Sequence, residues 1–203
     1  MELIEKATIL HYHRHRIQEF SDTVKSLGWK AEESQLKRFE VLSRVADLNG
    51  RSIMDIGCGR GDLKGFLDRR VSGIAYIGID QMPEFIEEAG ARHGHLPNTH
   101  FYQTDFSTAE LPMVDYVIAS GALGYRCENR AYYSEVIAKM YASASRALAF
   151  NMLDAMSFPD HPLLVGHNAE EVETFCNSLS PRVELIRGYL DDDFTIFMYR
   201  EPC

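Results

Sequence analysis

Residues 52–62 read Ser-Ile-Met-Asp-Ile-Gly-Cys-Gly-Arg-Gly-Asp. An apolar strand runs into a glycine turn and then, at Leu63, Phe66 and Leu67, into the apolar face of a helix. A strand, a tight turn and a helix N-terminus point backbone N–H groups outward, and the missing side chains let a ligand reach the main chain. The stretch predicts a site for a nucleotide-like molecule.

Spacing narrows the choice. The dinucleotide fingerprint has glycines at positions one, three and six of the turn; counted from Gly57, position six is Asp62, which argues against an NAD-dependent oxidoreductase. The phosphate loop needs Gly-Lys-Ser/Thr, which is missing. Instead Asp55, Gly57, Gly59 and Gly61 alternate as D-x-G-x-G-x-G, with the carboxylate at the strand end. A negative charge there repels a pyrophosphate and suits an amino acid or a sulfonium cation.

A second apolar strand, residues 75–80, closes on Gly78-Ile79-Asp80, its acid 19 positions after Gly61. With this pair in place, the chain resembles the class I S-adenosylmethionine (SAM) dependent methyltransferases, the first run matching their motif I and Asp80 the acidic end of their second strand. The resemblance implies an α/β fold: a Rossmann-like seven-stranded sheet, mostly parallel with an antiparallel last strand, with helices on both faces. It also implies SAM as cofactor and S-adenosylhomocysteine (SAH) as product. Gly28-Trp29, Ser34-Gln35 and Arg38-Phe39 are similar to the N-terminal helical cap of a branch of small bacterial methyltransferases, and Asp193-Phe194-Thr195 is similar to the same branch.

Composition is consistent with one soluble globular domain: 203 residues, 45% hydrophobic and 25% charged. The expected division is a cap at 1–48 and a SAM-binding core at 49–203. No apolar run approaches the roughly 18 residues of a membrane span, and Met-Glu-Leu-Ile-Glu-Lys lacks the pattern of a signal peptide, so the expected location is cytoplasmic. Cys58, Cys127, Cys176 and Cys203 are scattered without a Cys-x-x-Cys pair, as expected of reduced thiols with neither a metal site nor a disulfide framework. A net charge of −9 without a basic stripe disfavours a nucleic-acid substrate and favours a small-molecule acceptor.

In chain order, Leu10, His13, Ile17, Phe20, Val24 and Leu27 predict one or two amphipathic helices broken near Ser21-Asp22, and Leu36, Phe39, Leu42 and Val45 predict another over 32–48. Strands are expected at 51–56, 75–80, 100–103, 113–119 and 146–153. Helices are expected from the glycine turn to about Arg70, over 83–92 behind Pro83, over 129–145, and behind an Asn168 cap. A terminal hairpin, residues 183–190 and 194–199, turns through the solvated acids Asp191, Asp192 and Asp193. Strand–helix alternation of this kind winds a parallel sheet with ligands at the carboxyl ends of the strands.

The resemblance assigns the cofactor contacts. Asp55, Gly57, Cys58, Gly59 and Gly61 form the turn; Asp80 accepts from the ribose, with Gln81 and Met82 beside it; Asp105 accepts from the adenine amino group and Phe106 covers the ring. Ser120 and Gly121 lie at the methionine end, and Trp29 and Arg38 close over from the cap, although an aromatic at Trp29 serves equally as a packing anchor. Ser120-Gly121-Ala122-Leu123 stands where base-methylating families carry Asn/Asp-Pro-Pro-Tyr, and no ribose-methylase tetrad is recognisable. Direct in-line displacement needs orientation, which supplies about 7–11 kcal/mol, and a dry lid. A hydroxyl acceptor adds the need for a base, for which His13, Tyr125 and His161 are candidates; Arg126 could pair with a carboxylate acceptor. A non-catalytic SAM- or SAH-binding sensor or subunit would carry the same cofactor residues. The acceptor, the methylated atom and the oligomeric state stay open.

Overall fold

A computed structural model describes residues 1–21, 23–29 and 31–201 of the chain. Asp22, expected at the helix break, and Cys203, expected among the reduced thiols, lie outside the described residues. The strands are β1 (Ser52–Ile56), β2 (Ala75–Asp80), β3 (Thr99–Gln103), β4 (Val114–Ala119), β5 (Ala144–Leu153), β6 (Arg182–Ile186) and β7 (Asp193–Tyr199). The helices are α1 (Leu3–Phe20), α2 (Glu32–Leu42), α3 (Asp62–Leu67), α4 (Pro83–His93), α5 (Tyr132–Ala142) and α6 (Ala169–Leu179). Short 3₁₀ turns follow α1 at Val24–Leu27 and α2 at Ser43–Val45.

The seven strands form one sheet in the order β3-β2-β1-β4-β5-β7-β6. β1 to β5 pair in parallel, and β7 pairs antiparallel with both β5 and β6, so β7 alone runs against the rest. This is the expected Rossmann-like sheet with its antiparallel last strand. Because side chains alternate along a strand, each strand feeds two cores. Met54, Ile56, Val117, Ala119, Leu148, Phe150, Phe194 and Ile196 pack toward α5 through Val136, Ile137 and Met140. Ile53, Tyr76, Tyr116, Ile118, Ala147, Ala149 and Phe197 pack on the other face against α2 and α3 through Phe39, Leu42, Leu63, Phe66 and Leu67. Burial of each of these large side chains contributes about 1.5–3 kcal/mol.

The same alternation places five polar side chains on the α2 face: Asp55 beyond Ile53, Asp80 beyond Tyr76 and Gly78, Asn151 beyond Ala149, and Asp193 and Thr195 at the start of β7. All five are buried. Asp55 and Asn151 sit at or near the carboxyl ends of their strands, and Asp193 begins the antiparallel strand whose first residue lies opposite Leu153 at the end of β5. The sheet therefore gathers polar groups at one end while the rest of both faces remains apolar.

Several boundaries differ from expectation. α3 ends at Leu67 rather than near Arg70. α5 covers less than 129–145 because Ser143 caps it, its N–H turning back to Lys139 and Met140, which lets β5 begin at Ala144. The expected solvated turn at 191–193 is only partly a turn: Asp193 belongs to β7 and is buried by an ion pair with Arg38 of α2, itself buried. The Arg38 guanidinium also lies 4.7 Å from the Trp29 ring centroid and donates to the Ser34 carbonyl at 3.2 Å. The Asn168 side chain caps α6 as expected, accepting from the Glu170 and Glu171 amides.

Removing one member of a buried ion pair leaves the other charge without compensation, which costs about 3–5 kcal/mol, whereas replacing both with apolar groups is often neutral. Asp193→Ala is therefore expected to lower the unfolding free energy by about that amount, and the double variant Arg38→Met/Asp193→Leu to recover most of the loss. Urea denaturation followed by circular dichroism measures both; an unchanged Asp193→Ala midpoint would show the pair to be structurally idle.

Candidate functional site

One cavity opens at the carboxyl ends of the parallel strands, roofed by α1 and by the segment that leads into α2. Its floor is the glycine turn. The Gly57 and Cys58 amides donate to the Ile79 carbonyl at 2.8 and 3.0 Å, fastening the turn to β2. Asp80, at the end of β2, accepts from the Gly59 amide on one carboxylate oxygen and from the Met82 amide on the other, each at 2.9 Å. The carboxylate thus clamps the turn to the start of α4 and also lines the cavity. Burial pushes its pKa up, against the pull of the backbone amides.

Asp55 accepts from the Tyr76 hydroxyl at 2.5 Å. Complete burial raises its pKa to about 7; the tyrosine hydrogen bond opposes the shift, and the charges of Asp80 and Asp62 add to it. A cation placed here would relieve this crowding of carboxylates. Asp105 differs. Its two oxygens accept from Ser107, through N–H at 2.9 Å and Oγ at 2.6 Å, and from Lys6 Nζ of α1 at 2.6 Å. Burial would raise its pKa, but the Lys6 and Ser107 donors outweigh it and hold the carboxyl below its ordinary value.

The wall opposite is built by the exits of β4 and β5. Asn151 Oδ1 accepts from the Gly121 amide at 2.8 Å, which fixes the loop after β4. Asn151 Nδ2 and Ser120 Oγ are buried without a partner among the described residues, and both residues line the cavity. Gly121 adopts φ +72°, and a Cβ there would stand 2.5 Å from Trp29 Cη2, so the close approach of the indole requires glycine. Trp29, set on the Arg38–Asp193 pair, thus packs directly on the loop after β4.

The roof carries His13, buried on α1. Its Nε2 lies 2.5 Å from the Tyr125 hydroxyl, and its Nδ1 faces the Ser26 carbonyl at 3.4 Å. A carbonyl only accepts, so the proton belongs on Nδ1 and Nε2 accepts from Tyr125. Burial pushes the His13 pKa down to about 4, partly offset by Ser26, so the ring is neutral at physiological pH. Burial likewise raises the Tyr125 pKa.

Of the residues expected to hold a cofactor, Trp29, Arg38, Asp55, Gly57, Cys58, Gly59, Asp80, Gln81, Met82, Asp105, Phe106, Ser120 and Gly121 line this cavity. Gly61 does not. It starts α3 at φ +74°, and a Cβ there would meet His93 and Phe101 at 2.9–3.2 Å, so its contribution is to the packing behind the turn. Among the candidate bases, His13 and Tyr125 meet in the roof, whereas His161 is not a lining residue: its Nδ1 accepts from the Leu163 and Leu164 amides and holds its own loop together. Arg126 is exposed and bound to Asp160 at 2.6 Å and to the His161 carbonyl at 2.9 Å, away from the cavity walls.

Sequence reasoning missed Lys6, Asn151 and the inward-facing role of Asp193. An asparagine within the apolar run 147–153 was the available signal for the second; Lys6 carries none, since its partner is fixed only by the docking of α1.

Comparison with known proteins places methyltransferases beside this chain. Residues 53–148 match the family model described as a methyltransferase domain. Trans-aconitate 2-methyltransferase of Klebsiella pneumoniae (strain 342) is 26% identical over 126 residues, which are 62% of this chain and 48% of that protein. The enzyme of the same name from Escherichia coli (strain K12 / DH10B) is 27% identical over 139 residues, 68% of this chain and 53% of the other. The chain thus spans about half the length of these curated relatives. The crystal structure of magnesium protoporphyrin IX methyltransferase from Synechocystis PCC 6803 with bound SAH has the same fold, with a TM-score of 0.72 at 16% identity over 97% of this chain and 100% of that one. The motif at residues 52–80, the sheet order and these matches make the chain similar to the class I SAM-dependent methyltransferases, whose fold it has.

Proposed function

We propose that this chain is an enzyme that binds SAM and transfers its methyl group to a small-molecule acceptor by direct in-line displacement, releasing SAH. In this reading residues 1–48 cap a SAM-binding core of residues 49–203 within one domain, and the protein works in the cytoplasm. The observation that carries it is the carboxylate-rich floor of the cavity, where Asp55 and Asp80 flank a glycine turn with exposed main chain. The unpartnered Asn151 Nδ2 and Ser120 Oγ support it as groups in want of a polar ligand. The names of the relatives, trans-aconitate and magnesium protoporphyrin IX methyltransferases, support an acceptor of small-molecule size.

Bound SAM supplies a methyl group already activated by its sulfonium. The chain's own residues then have to hold, orient and exclude water. Asp80 would accept from the ribose hydroxyls on lone pairs not used by Gly59 and Met82, with Gln81 and Met82 beside it. Phe106 would cover the adenine, whose amino group would share Asp105 with Lys6. Asp55 would face the positively charged methionyl end, and Ser120, Gly121 and Asn151 would border its polar groups. α1 and Trp29 would close the site from water, which strengthens every electrostatic contact inside.

Calorimetric titration of SAM, SAH and NADH tests the reading. Micromolar binding of both sulfur compounds, no binding of NADH, and at least tenfold weaker SAM binding by Asp80→Asn are expected; NADH binding alone, or none at all, would sink it. A second outcome follows from Asp55. Its carboxyl is half protonated near pH 7, and a cation prefers the ionised form, so SAM affinity is expected to rise between pH 6 and pH 8. Each unit below the pKa is worth up to about tenfold. SAH, which lacks the sulfonium charge, should show a smaller rise, and Asp55→Asn should flatten the SAM dependence. An equally steep profile in the Asn variant would assign the proton to another group.

A further inference from the structure

The cavity as a whole has a charge balance, and its roof a hydrogen-bonded pair, that together select a chemistry. Six carboxylates line the cavity: Asp55, Asp62, Asp80, Asp105, Asp192 and Asp193. Among the described residues the basic side chains lining it are Lys6 and Arg38, and both are spoken for, Lys6 by Asp105 and Arg38 by Asp193. A carboxylate acceptor would enter this field without a free basic side chain among the described residues to receive it. The remaining walls near Tyr125 are apolar, including Met152, Leu153 and Leu164, and suit an uncharged body.

Within that setting the His13–Tyr125 pair is oriented for proton transfer. The Ser26 carbonyl fixes the tautomer of His13, Tyr12 and Phe85 pack edge-on to its ring at 5.3 and 5.2 Å, and Nε2 takes the hydrogen of the Tyr125 hydroxyl. With its own hydrogen committed to His13, the Tyr125 oxygen has lone pairs left to accept a hydrogen bond from an acceptor molecule. An amine with a free lone pair needs no such base during transfer, and a carboxylate has no proton to give. A hydroxyl group needs both an acceptor for its proton and a place to send it.

We infer that the acceptor is a neutral hydroxyl compound, a phenol or an alcohol, whose proton is taken by Tyr125 and relayed to His13. The inference rests on the methyltransferase reading above. The acceptor oxygen forms its bond to the methyl carbon as the carbon–sulfur bond breaks, and the electron pair of that bond stays on sulfur as a thioether. The proton of the acceptor oxygen passes to the Tyr125 oxygen while the Tyr125 proton passes to His13 Nε2. The products are a methyl ether, SAH, an unchanged tyrosine and an imidazolium, so the positive charge that leaves sulfur reappears on His13. Tyr125 is the catalytic residue of this step, and His13 acts through it as a positioning residue that takes the proton in passing and gives it up to solvent, returning to its neutral form.

The test uses the whole chain with SAM carrying a tritiated methyl group and four probes of similar size: 4-methylphenol, benzyl alcohol, benzylamine and benzoate. Methyl ethers from the hydroxyl probes are expected. Tyr125→Phe and His13→Gln should each lower kcat for ether formation on the order of 10²–10³-fold, while KM for SAM and Kd for SAH stay within threefold, showing that both variants are folded. Labelled product from benzylamine or benzoate only, no ether from either hydroxyl probe, or ether formation by Tyr125→Phe within threefold of wild type overturns the proposal. Nitrogen-15 NMR of the SAH-bound protein at pH 7 gives a readout independent of turnover: His13 protonated on Nδ1 and bare on Nε2 is expected, and a protonated Nε2 overturns the relay. Should SAH fail to bind the wild-type chain, the methyltransferase reading itself falls, and the NMR experiment on the free protein still reports on the pair.

Discussion

The contact between the Gly59 amide and the Asp80 carboxylate, 2.9 Å long and buried, is the one on which the cavity depends. Two parallel strands end side by side, and the turn leaving the first has to be held open without side chains. Asp80 does this from the second strand, and its other oxygen holds the Met82 amide at the start of α4. One buried carboxylate therefore sets the spacing between the turn, the second strand and the next helix. The cost of its desolvation is partly offset by charge-assisted hydrogen bonds, and lone pairs remain for a ligand. In the proposed function the structural clamp and the binding group are the same atoms, which ties the shape of the floor to its chemistry.

The strands and the glycine turn were legible because their signals are local. Alternation of apolar residues, Pro83 in the first turn of α4, and the acids at positions 55 and 80 each declare themselves within a few residues. The antiparallel β7 followed from the resemblance and is borne out by its pairing with β5 and β6. What the sequence hid is long-range polar pairing. Asp191, Asp192 and Asp193 look like a solvated turn because three adjacent acids avoid burial; only the arrival of Arg38 from α2 makes burial of the third tolerable. Likewise His13 and Tyr125, 112 positions apart, are unremarkable alone, and His161 looked as eligible as either until its ring was found holding its own loop.

The roof is attached differently from the floor. α1 buries Ile9 and His13, and much of its hold on the core is polar: Lys6 to Asp105, Arg14 to Glu84, Glu5 to the Glu128 amide, and His13 to Tyr125. Exposed ion pairs contribute little, about 0–1 kcal/mol each. A helix held this way separates from the core at smaller cost than one sealed by a wide apolar stripe. The floor, sealed on both faces of the sheet by aromatic and aliphatic side chains, has no such freedom.

The joining of Arg38 to Asp193 also has a temporal meaning. Chains emerge from the ribosome N-terminus first, at about 5–20 residues per second, so α2 and the glycine turn exist for some seconds before β7 is made. During that interval Arg38 lacks its carboxylate, Trp29 lacks the footing that the ion pair gives it, and β5 has an open edge where β7 will later insert. Folding of the sheet core can begin early through the nearby β1 and β2, but the back wall of the cavity waits for β7, which is made well after α2 and the glycine turn. The cavity is thus completed after the scaffold that carries it.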